Sequence, residues 1–333
     1  MQKTISIVVA IFNRKDELFE LLNSLIAQTD KDFEVIIVDD GSFVDLLPTV
    51  ETFKEMLNIQ YFKKANSGPG LSRNYGANRA KNDWLVFVDS DVIVEKDYIE
   101  NIKKNLEKTD CAAFGGADKA HKGFNLLQKA ISYSMTSVFT TGGIRGSKKA
   151  VTRFQPRSFN MGVNKEIFLK IGGFSEMRIG EDPDLSMTIW ENGYQTAFFD
   201  DIGVYHKRRT DLGKFSKQVY QFGCARPILN QRHPDYVKPT FWFPTLFLLG
   251  YVAGFLEYFL LHKGFVLACY GIYTFVIFFH ALLLTKNLAI AAQAIITTYI
   301  QMFSYGYGFL ESWVKLNILR MKPEEAFPKH FHK

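Results

Sequence analysis

The chain is poor in cysteine: Cys111, Cys224 and Cys269 are the only three among 333 residues. An odd number at such wide spacing makes neither a disulfide framework nor a zinc-ligand pattern. No Gly-x-Gly-x-x-Gly follows the first apolar run, which argues against a dinucleotide-dependent dehydrogenase. Basic residues are nowhere interleaved with stacking aromatics along one motif, so nucleic acid is not an expected partner. Repeats and low-complexity tracts are absent as well. The sequence enters a strand-like run at Thr4 with no n-region, h-region or cleavage site. A secretory leader is therefore not expected, and the α/β part is expected to stay cytoplasmic. The scarcest thing locally is charge: residues 241–314 have almost none, although the whole chain carries +6.

That surplus collects just before the apolar region, in His206-Lys207-Arg208-Arg209, Lys214, Lys217, Arg226, Arg232 and Lys238. The placement fits the positive-inside rule and an anionic leaflet. Phe241–Leu261 and Gly264–Thr285 each approach the ~20 apolar residues of a bilayer-spanning helix. Only His262-Lys263 joins them, so they must form a hairpin. Leu288–Trp313 is a third candidate, weakened by Gln293, Gln301 and Glu311. Three spans are expected, with two spans plus an interfacial helix as the competitor. Lys315, Arg320, Lys322, Lys329 and Lys333 would prefer the inside, where three spans would not put them. The segment 211–229 reads as an amphipathic interfacial helix, with Leu212, Phe215, Val219 and Phe222 on one face. The expected organisation is an α/β domain over 1–209, an amphipathic linker over 210–238, membrane helices over 239–316 and a basic tail over 317–333.

Within the first part, strands alternate with helices. Thr4–Ala10, Phe33–Val38, Ile59–Phe62, Trp84–Val88 and Cys111–Phe114 read as strands. Helical spacing covers Asp16–Ala27, Val44–Leu57, Leu71–Ala80 and a stretch from near Val94 to Glu107. Gly180-Glu181-Asp182-Pro183-Asp184-Leu185 opens another helix, and Gln195–Phe199 and Gly203–His206 read as two short strands. This alternation predicts an α/β, Rossmann-like, mostly parallel sheet. Residues 140–157 read equally as a plain surface loop or an active-site flap.

The chemistry centres on Trp84-Leu85-Val86-Phe87-Val88-Asp89-Ser90-Asp91, a buried strand running into two carboxylates. In open α/β sheets the carboxyl ends of the strands form the rim where ligands sit. Two adjacent carboxylates repel, and a hard cation such as Mg²⁺ or Mn²⁺ relieves that repulsion and can hold a diphosphate. Taken alone, the pair reads better as an acidic turn capping the helix that follows. The same alternative applies to Glu181 and Asp182 at the start of their helix.

The motifs together resemble family 2 glycosyltransferases of the GT-A fold. The matching pieces are Ile7–Arg14, Val38-Asp39-Asp40-Gly41-Ser42, Gly68-Pro69-Gly70-Leu71-Ser72-Arg73-Asn74 and Asp89-Ser90-Asp91, continued by Gly172-Gly173-Phe174, Gly180–Leu185 and Val204-Tyr205-His206. The resemblance covers roughly residues 4–225. It implies that Ala10, Phe12, Arg14 and either Asp39 or Asp40 serve the nucleobase and ribose. Arg73 would approach the diphosphate, with Asp89 and Ser90 at the donor. Asp91, Asp89 and His206 would ligate Mn²⁺ or Mg²⁺. Asp182, beside Glu181, would be the general base, and the reaction an inverting single displacement.

The pattern also departs from that of processive polysaccharide synthases. The interfacial helix carries Gln218, Gln221 and Arg226 but no Gln-x-x-Arg-Trp, and no set of spans precedes the catalytic part. This favours addition of one or few sugars to a membrane-proximal, lipid-linked acceptor, with Gln218 and Arg226 on the acceptor side. The expected partners are a nucleotide-sugar donor, leaning to uridine, and the cell membrane. Alternatives are a polyprenyl-phosphate sugar synthase and a non-catalytic nucleotide-sugar sensor or scaffold for polysaccharide export.

Overall fold

The structure is a computed structural model that describes residues 3–119, 124–141, 154–206 and 211–332. The described residues fall into two compact units. The first comprises 3–119, 154–206 and 329–332, and the second 124–141 and 211–328.

The first unit opens with β1 (Ile5–Ile11), α1 (Lys15–Ile26), β2 (Phe33–Asp39), α2 (Leu47–Phe53), β3 (Ile59–Lys63), α3 (Pro69–Ala77) and β4 (Trp84–Val88). Next come β5 (Val92–Val94), α4 (Tyr98–Lys108) and β6 (Ala113–Lys119). In α1, Leu18, Leu21, Leu22 and Leu25 sit at helical spacing and are all buried. Pro48 falls in the first turn of α2, where its missing N–H costs nothing. Every residue of β2 and β4 is buried. Removing such Val, Ile and Leu side chains from water stabilises by roughly 1.5–3 kcal/mol each.

The eight strands form one sheet in the order β3-β2-β1-β4-β7-β6-β8-β5, where β7 is Asn160–Asn164 and β8 is Thr196–His206. Four pairings are parallel and three antiparallel. The parallel half, β3-β2-β1-β4, is the part foreseen from the strand–helix alternation. Two local expectations are corrected. The helix expected from near Val94 begins at Tyr98, because Val92–Val94 pair with β8 as an edge strand. The two short strands expected at 195–206 are one continuous strand, whose register against β6 shifts between Gly116 and Asp118.

The second unit is helical. It contains α5 (Leu126–Thr136) and α6 (Val138–Thr141). The first unit's α7 (Lys165–Lys170) and α8 (Glu181–Glu191) come next in the chain. The second unit resumes with α9 (Leu212–Arg232), α10 (Phe243–Leu261), α11 (Phe265–Thr285), α12 (Leu288–Trp313) and the short α13 (Pro323–Ala326). A π turn at Val314–Ile318 extends α12. The helix expected at 211–229 is present as α9, where Phe215 and Val219 are buried with Ile131 and Met135 of α5. Backbones approach closely where α9 meets α12: a side chain at Gly308 would strike Tyr220, and one at Gly223 would strike Tyr305. Three helical stretches, Pro239–Leu261, Phe265–Thr285 and Leu288–Ile318, are long and apolar enough to cross a membrane. Residues 142–153, the centre of the expected loop or flap, lie outside the described residues.

Candidate active site

Strands β2, β1 and β4 are parallel neighbours, so their carboxyl ends open on one rim of the sheet. Arg14, Asp39 and Asp89 lie at or just past those ends, which is where an open α/β sheet places its ligands.

At the end of β2 both carboxylates are buried, Asp39 0% and Asp40 4% exposed. Asp39 accepts from the Ser42 N–H at 2.8 Å and from the Tyr61 hydroxyl at 2.7 Å. Asp40 accepts from the N–H groups of Ser67 at 2.9 Å and Gly68 at 2.7 Å, and pairs with Lys64. The Asp40 carboxylate thereby holds the turn that leads into α3. Ala10 is half-buried and Phe12 is 42% exposed, its ring edge-on to Phe43.

At the end of β4, Asp89 and Asp91 flank the buried Ser90 and each meets a guanidinium. Arg14 pairs with Asp91. Burial pulls the Arg14 pKa down, but Asp91, Glu17 and Asp89 outweigh it and hold it above its ordinary value. Arg73, 3% exposed, donates to Asp89 Oδ1 and to Glu181 Oε1, both at 2.7 Å, with its guanidinium 5.4 Å from the Phe174 ring centre. Arg73 therefore ties α3, β4 and α8 together. Burial disfavours its charge, yet Asp89, Glu181 and Asp182 together raise its pKa. Burial pushes Glu181 up to about 8, with Arg73 pulling it back and Asp182 and Asp89 adding to the rise.

Helix α8 starts after Gly180, whose left-handed conformation turns the chain so that Glu181 and Asp182 occupy the first turn. Asp182 Oδ1 is buried without a hydrogen-bond partner. Such an orphaned acceptor is unusual in a folded protein and is open to a ligand.

The structure thus brings Arg14, Arg73, Asp89, Asp91, Glu181 and Asp182 into one linked constellation, with Asp39 and Asp40 on the adjoining strand end. His206 pairs through its backbone with Val92 on the far edge of the sheet; its side chain lies outside the described residues. Among the described residues, no group of three or more His, Cys, Asp or Glu is arranged to hold a metal ion. In the second unit, Arg226 lies over the Phe241 ring at 4.3 Å.

Sequence reasoning missed His332. Residues 330–332 lie against 176–178: Arg178 N–H donates to His330 O at 2.7 Å, His332 N–H donates to Glu176 O at 2.9 Å, and Met177 and Phe331 form an antiparallel bridge. The His332 imidazole rests on Gly68, where any side chain would collide with it. Burial lowers its pKa, Arg178 and Lys64 add to this, and Asp40 opposes them. Tyr61 and Lys64, the partners of the β2 carboxylates, were also unmarked. No motif in the sequence signals any of the three.

Comparison with known proteins assigns the family and the fold. Residues 6–171 match the family model of Glycosyl transferase family 2, and the chain belongs to that family. An uncharacterized glycosyltransferase of Haemophilus influenzae is 31% identical over 202 residues, 58% of this chain and 64% of that protein. One from Rickettsia felis is 36% identical over 106 residues, 32% of this chain and 18% of that protein. The chain spans 15–64% of the length of the curated relatives it matches. Its fold is the GT-A type of Staphylococcus aureus TarS 1-349, solved with UDP-GlcNAc, at TM-score 0.51 and 18% identity over 92% of this chain and 91% of that one. It also matches the mannosyltransferase PcManGT of Pyrobaculum calidifontis, solved with GDP-Man and Mn²⁺, at TM-score 0.56 and 17% identity over 96% of this chain and 88% of that one.

Proposed function

We propose that this protein transfers a sugar from a nucleotide-sugar donor to a membrane-proximal, lipid-linked acceptor, with inversion, on the cytoplasmic face of the cell membrane. The observation that carries the proposal is the orphaned, buried Oδ1 of Asp182, next to a rim where two arginines hold Asp89 and Asp91. A carboxylate with an uncommitted oxygen is suited to take the proton of an attacking hydroxyl. Arg73 fixes Glu181, and so the first turn of α8, in place. Asp39 and Asp40 shape the nucleoside end by holding Tyr61 and the 64–68 turn, with Ala10 and Phe12 beside them. Ser90 keeps the two β4 carboxylates on one short turn.

The donor sets of relatives support a nucleotide sugar as substrate, with uridine and guanosine both represented. The two β4 carboxylates fit a hard divalent cation, because they are all-oxygen ligands, each paired with a guanidinium group. Asp91 and Asp89 would hold Mn²⁺ or Mg²⁺. When bound, the cation would offset charge on the leaving diphosphate. Cell-surface glycan assembly is the setting that best combines this chemistry with the apolar helices of the second unit.

The test is a donor screen on membranes or on detergent-solubilised protein with lipid extract. It would follow release of nucleoside diphosphate from UDP-, GDP- and dTDP-sugars, with Mn²⁺ or Mg²⁺ and with EDTA. Release from one donor should fall by on the order of 10²–10⁴-fold in the Asp182→Asn variant. Full activity in that variant would remove Asp182 from the mechanism. A product made of one sugar on a polyprenyl phosphate would identify the simpler synthase.

A further inference from the structure

Which of the apolar helices cross the membrane follows from where the chain returns afterwards. Residues 330–332 are hydrogen-bonded to 176–178, so both segments lie on one side of any bilayer. Between them the chain passes through all three apolar helices. The number of crossings in that interval must be even, and three full spans are excluded.

Packing inside the second unit identifies the helix that does not cross. Helices α10 and α11 form an antiparallel hairpin whose closed tip is 262–264. A side chain at Gly254 would meet Val266 and one at Gly250 would meet Tyr270, while Phe247 packs on Tyr273. Helix α12 does not run along this hairpin from base to tip. Its first turns, Ala291 and Ala294, are buried with Ile277 and Ala281 near the base of α11. At mid-helix, Tyr299 meets Thr274 and Phe247. Its last turns return to the base of α10, where Thr245 donates to Gly306 O and Trp242 packs on Phe309 and Trp313. Both ends of α12 are therefore at the open base, and the helix lies across it. Beyond Tyr251 and Tyr270 the hairpin stands clear, with Phe259 67%, Leu260 72% and Phe265 74% exposed.

We infer that α10 and α11 cross the bilayer as a helical hairpin, while α12 lies at the interface across the hairpin's base. With 19 and 21 residues, the two helices reach roughly 28–32 Å, which matches a hydrocarbon core of about 30 Å. The base carries Lys238, Lys286, Lys315, Arg320 and Lys322, whereas the tip carries His262 and Lys263. That bias puts the base on the cytoplasmic side. The cluster Trp242, Phe309 and Trp313 supplies the aromatic residues favoured at a membrane–water boundary. Glu311, paired with Lys315 and accepting from Tyr220, sits at this level and not in hydrocarbon. The share of buried residues agrees: 39% for the stretch containing α12, against 17% and 11% for the other two.

The test is cysteine labelling of the full chain in intact cells and inverted vesicles, with Cys111, Cys224 and Cys269 replaced. Single variants Lys263→Cys, Lys286→Cys and Lys322→Cys are exposed to a membrane-impermeant maleimide. The expected result is labelling of position 263 on one side and of 286 and 322 together on the other. Labelling of 322 on the same side as 263 would restore the third crossing and overturn the inference. Labelling of 263 on the same side as 286, or protection of 263 in both preparations, would mean that the hairpin only dips into one leaflet, which also overturns it. A Met177→Cys, Phe331→Cys pair under mild oxidant supplies a second readout, since bridge partners are close enough for a disulfide. It should cross-link in membranes, and no cross-link would remove the parity argument. Neither readout requires sugar transfer, so each stands whether or not the proposed reaction is correct.

Discussion

Two strand ends of one sheet each present a pair of carboxylates, and the two pairs are held in opposite ways. At the end of β2, Asp39 and Asp40 are gripped largely by main-chain N–H groups, a phenol and a lysine within the same fold segment. At the end of β4, Asp89 and Asp91 are gripped by the guanidinium groups of Arg73 and Arg14, and their side chains are 35% and 14% exposed. Backbone amides cannot be exchanged for a ligand. In the proposed reaction an arginine partner would turn from a carboxylate to the donor's diphosphate, leaving the carboxylate to a cation. The first pair is thus built into the loop that frames the site, and the second is the part free to trade partners.

The comparison predicts where stability and activity separate. Asp40→Ala leaves two N–H groups and Lys64 without their buried acceptor and should cost about 3–5 kcal/mol. Asp91→Ala releases a partly exposed pair and should cost no more than about 1 kcal/mol, while abolishing most transfer. Thermal unfolding in detergent, read beside donor turnover, checks both. Equal destabilisation by the two substitutions would break the distinction.

A smaller effect is expected at Gly68, which has φ +88° and lies under His332. Gly68→Ala should destabilise by about 1–3 kcal/mol. Adding His332→Ala should recover the steric part and leave about 1 kcal/mol for the backbone conformation. Additive losses in the double variant would show that the two residues do not touch.

A further effect concerns pH. Glu181 is raised from its ordinary value of 4.5 to about 8 by burial, against the pull of Arg73. Between those values the folded protein binds more protons than the unfolded chain, so stability falls as pH rises. The slope should reach at most about 1.4 kcal/mol per pH unit. Glu181→Gln should flatten it, and unfolding curves at pH 5, 6.5 and 8 (about one and a half units apart) would show whether it does.

The parallel half of the sheet was legible because β1, β2 and β4 are unbroken apolar runs that end in polar residues. The edge was not, since Val92-Ile93-Val94 is too short to show a period and owes its conformation to β8. Asp89, Asp91 and Asp182 stood out because they follow in order with the other motifs of the resemblance, although each alone reads as a helix cap. Their arrangement could not be read, because Arg73 meets Glu181 across 108 positions of sequence. His332 was invisible for the same reason. Gln293, Gln301 and Glu311 set the third apolar helix apart in the sequence, but what α12 packs against, from Ile277 to Trp242, joins residues too far apart in the chain to be read there.

The bridge between Met177 and Phe331 also sets a timetable. Translation proceeds at about 5–20 residues per second, so Met177 emerges on the order of 10 s before its partner. During that interval the turn at Gly68 lacks its imidazole cover, and the hairpin and α12 are being made. The edge of the first unit is therefore finished only after the hydrophobic helices have been synthesised. Completion of the Gly68 turn and synthesis of the apolar helices thus become linked steps, the helices first and the turn's cover after them.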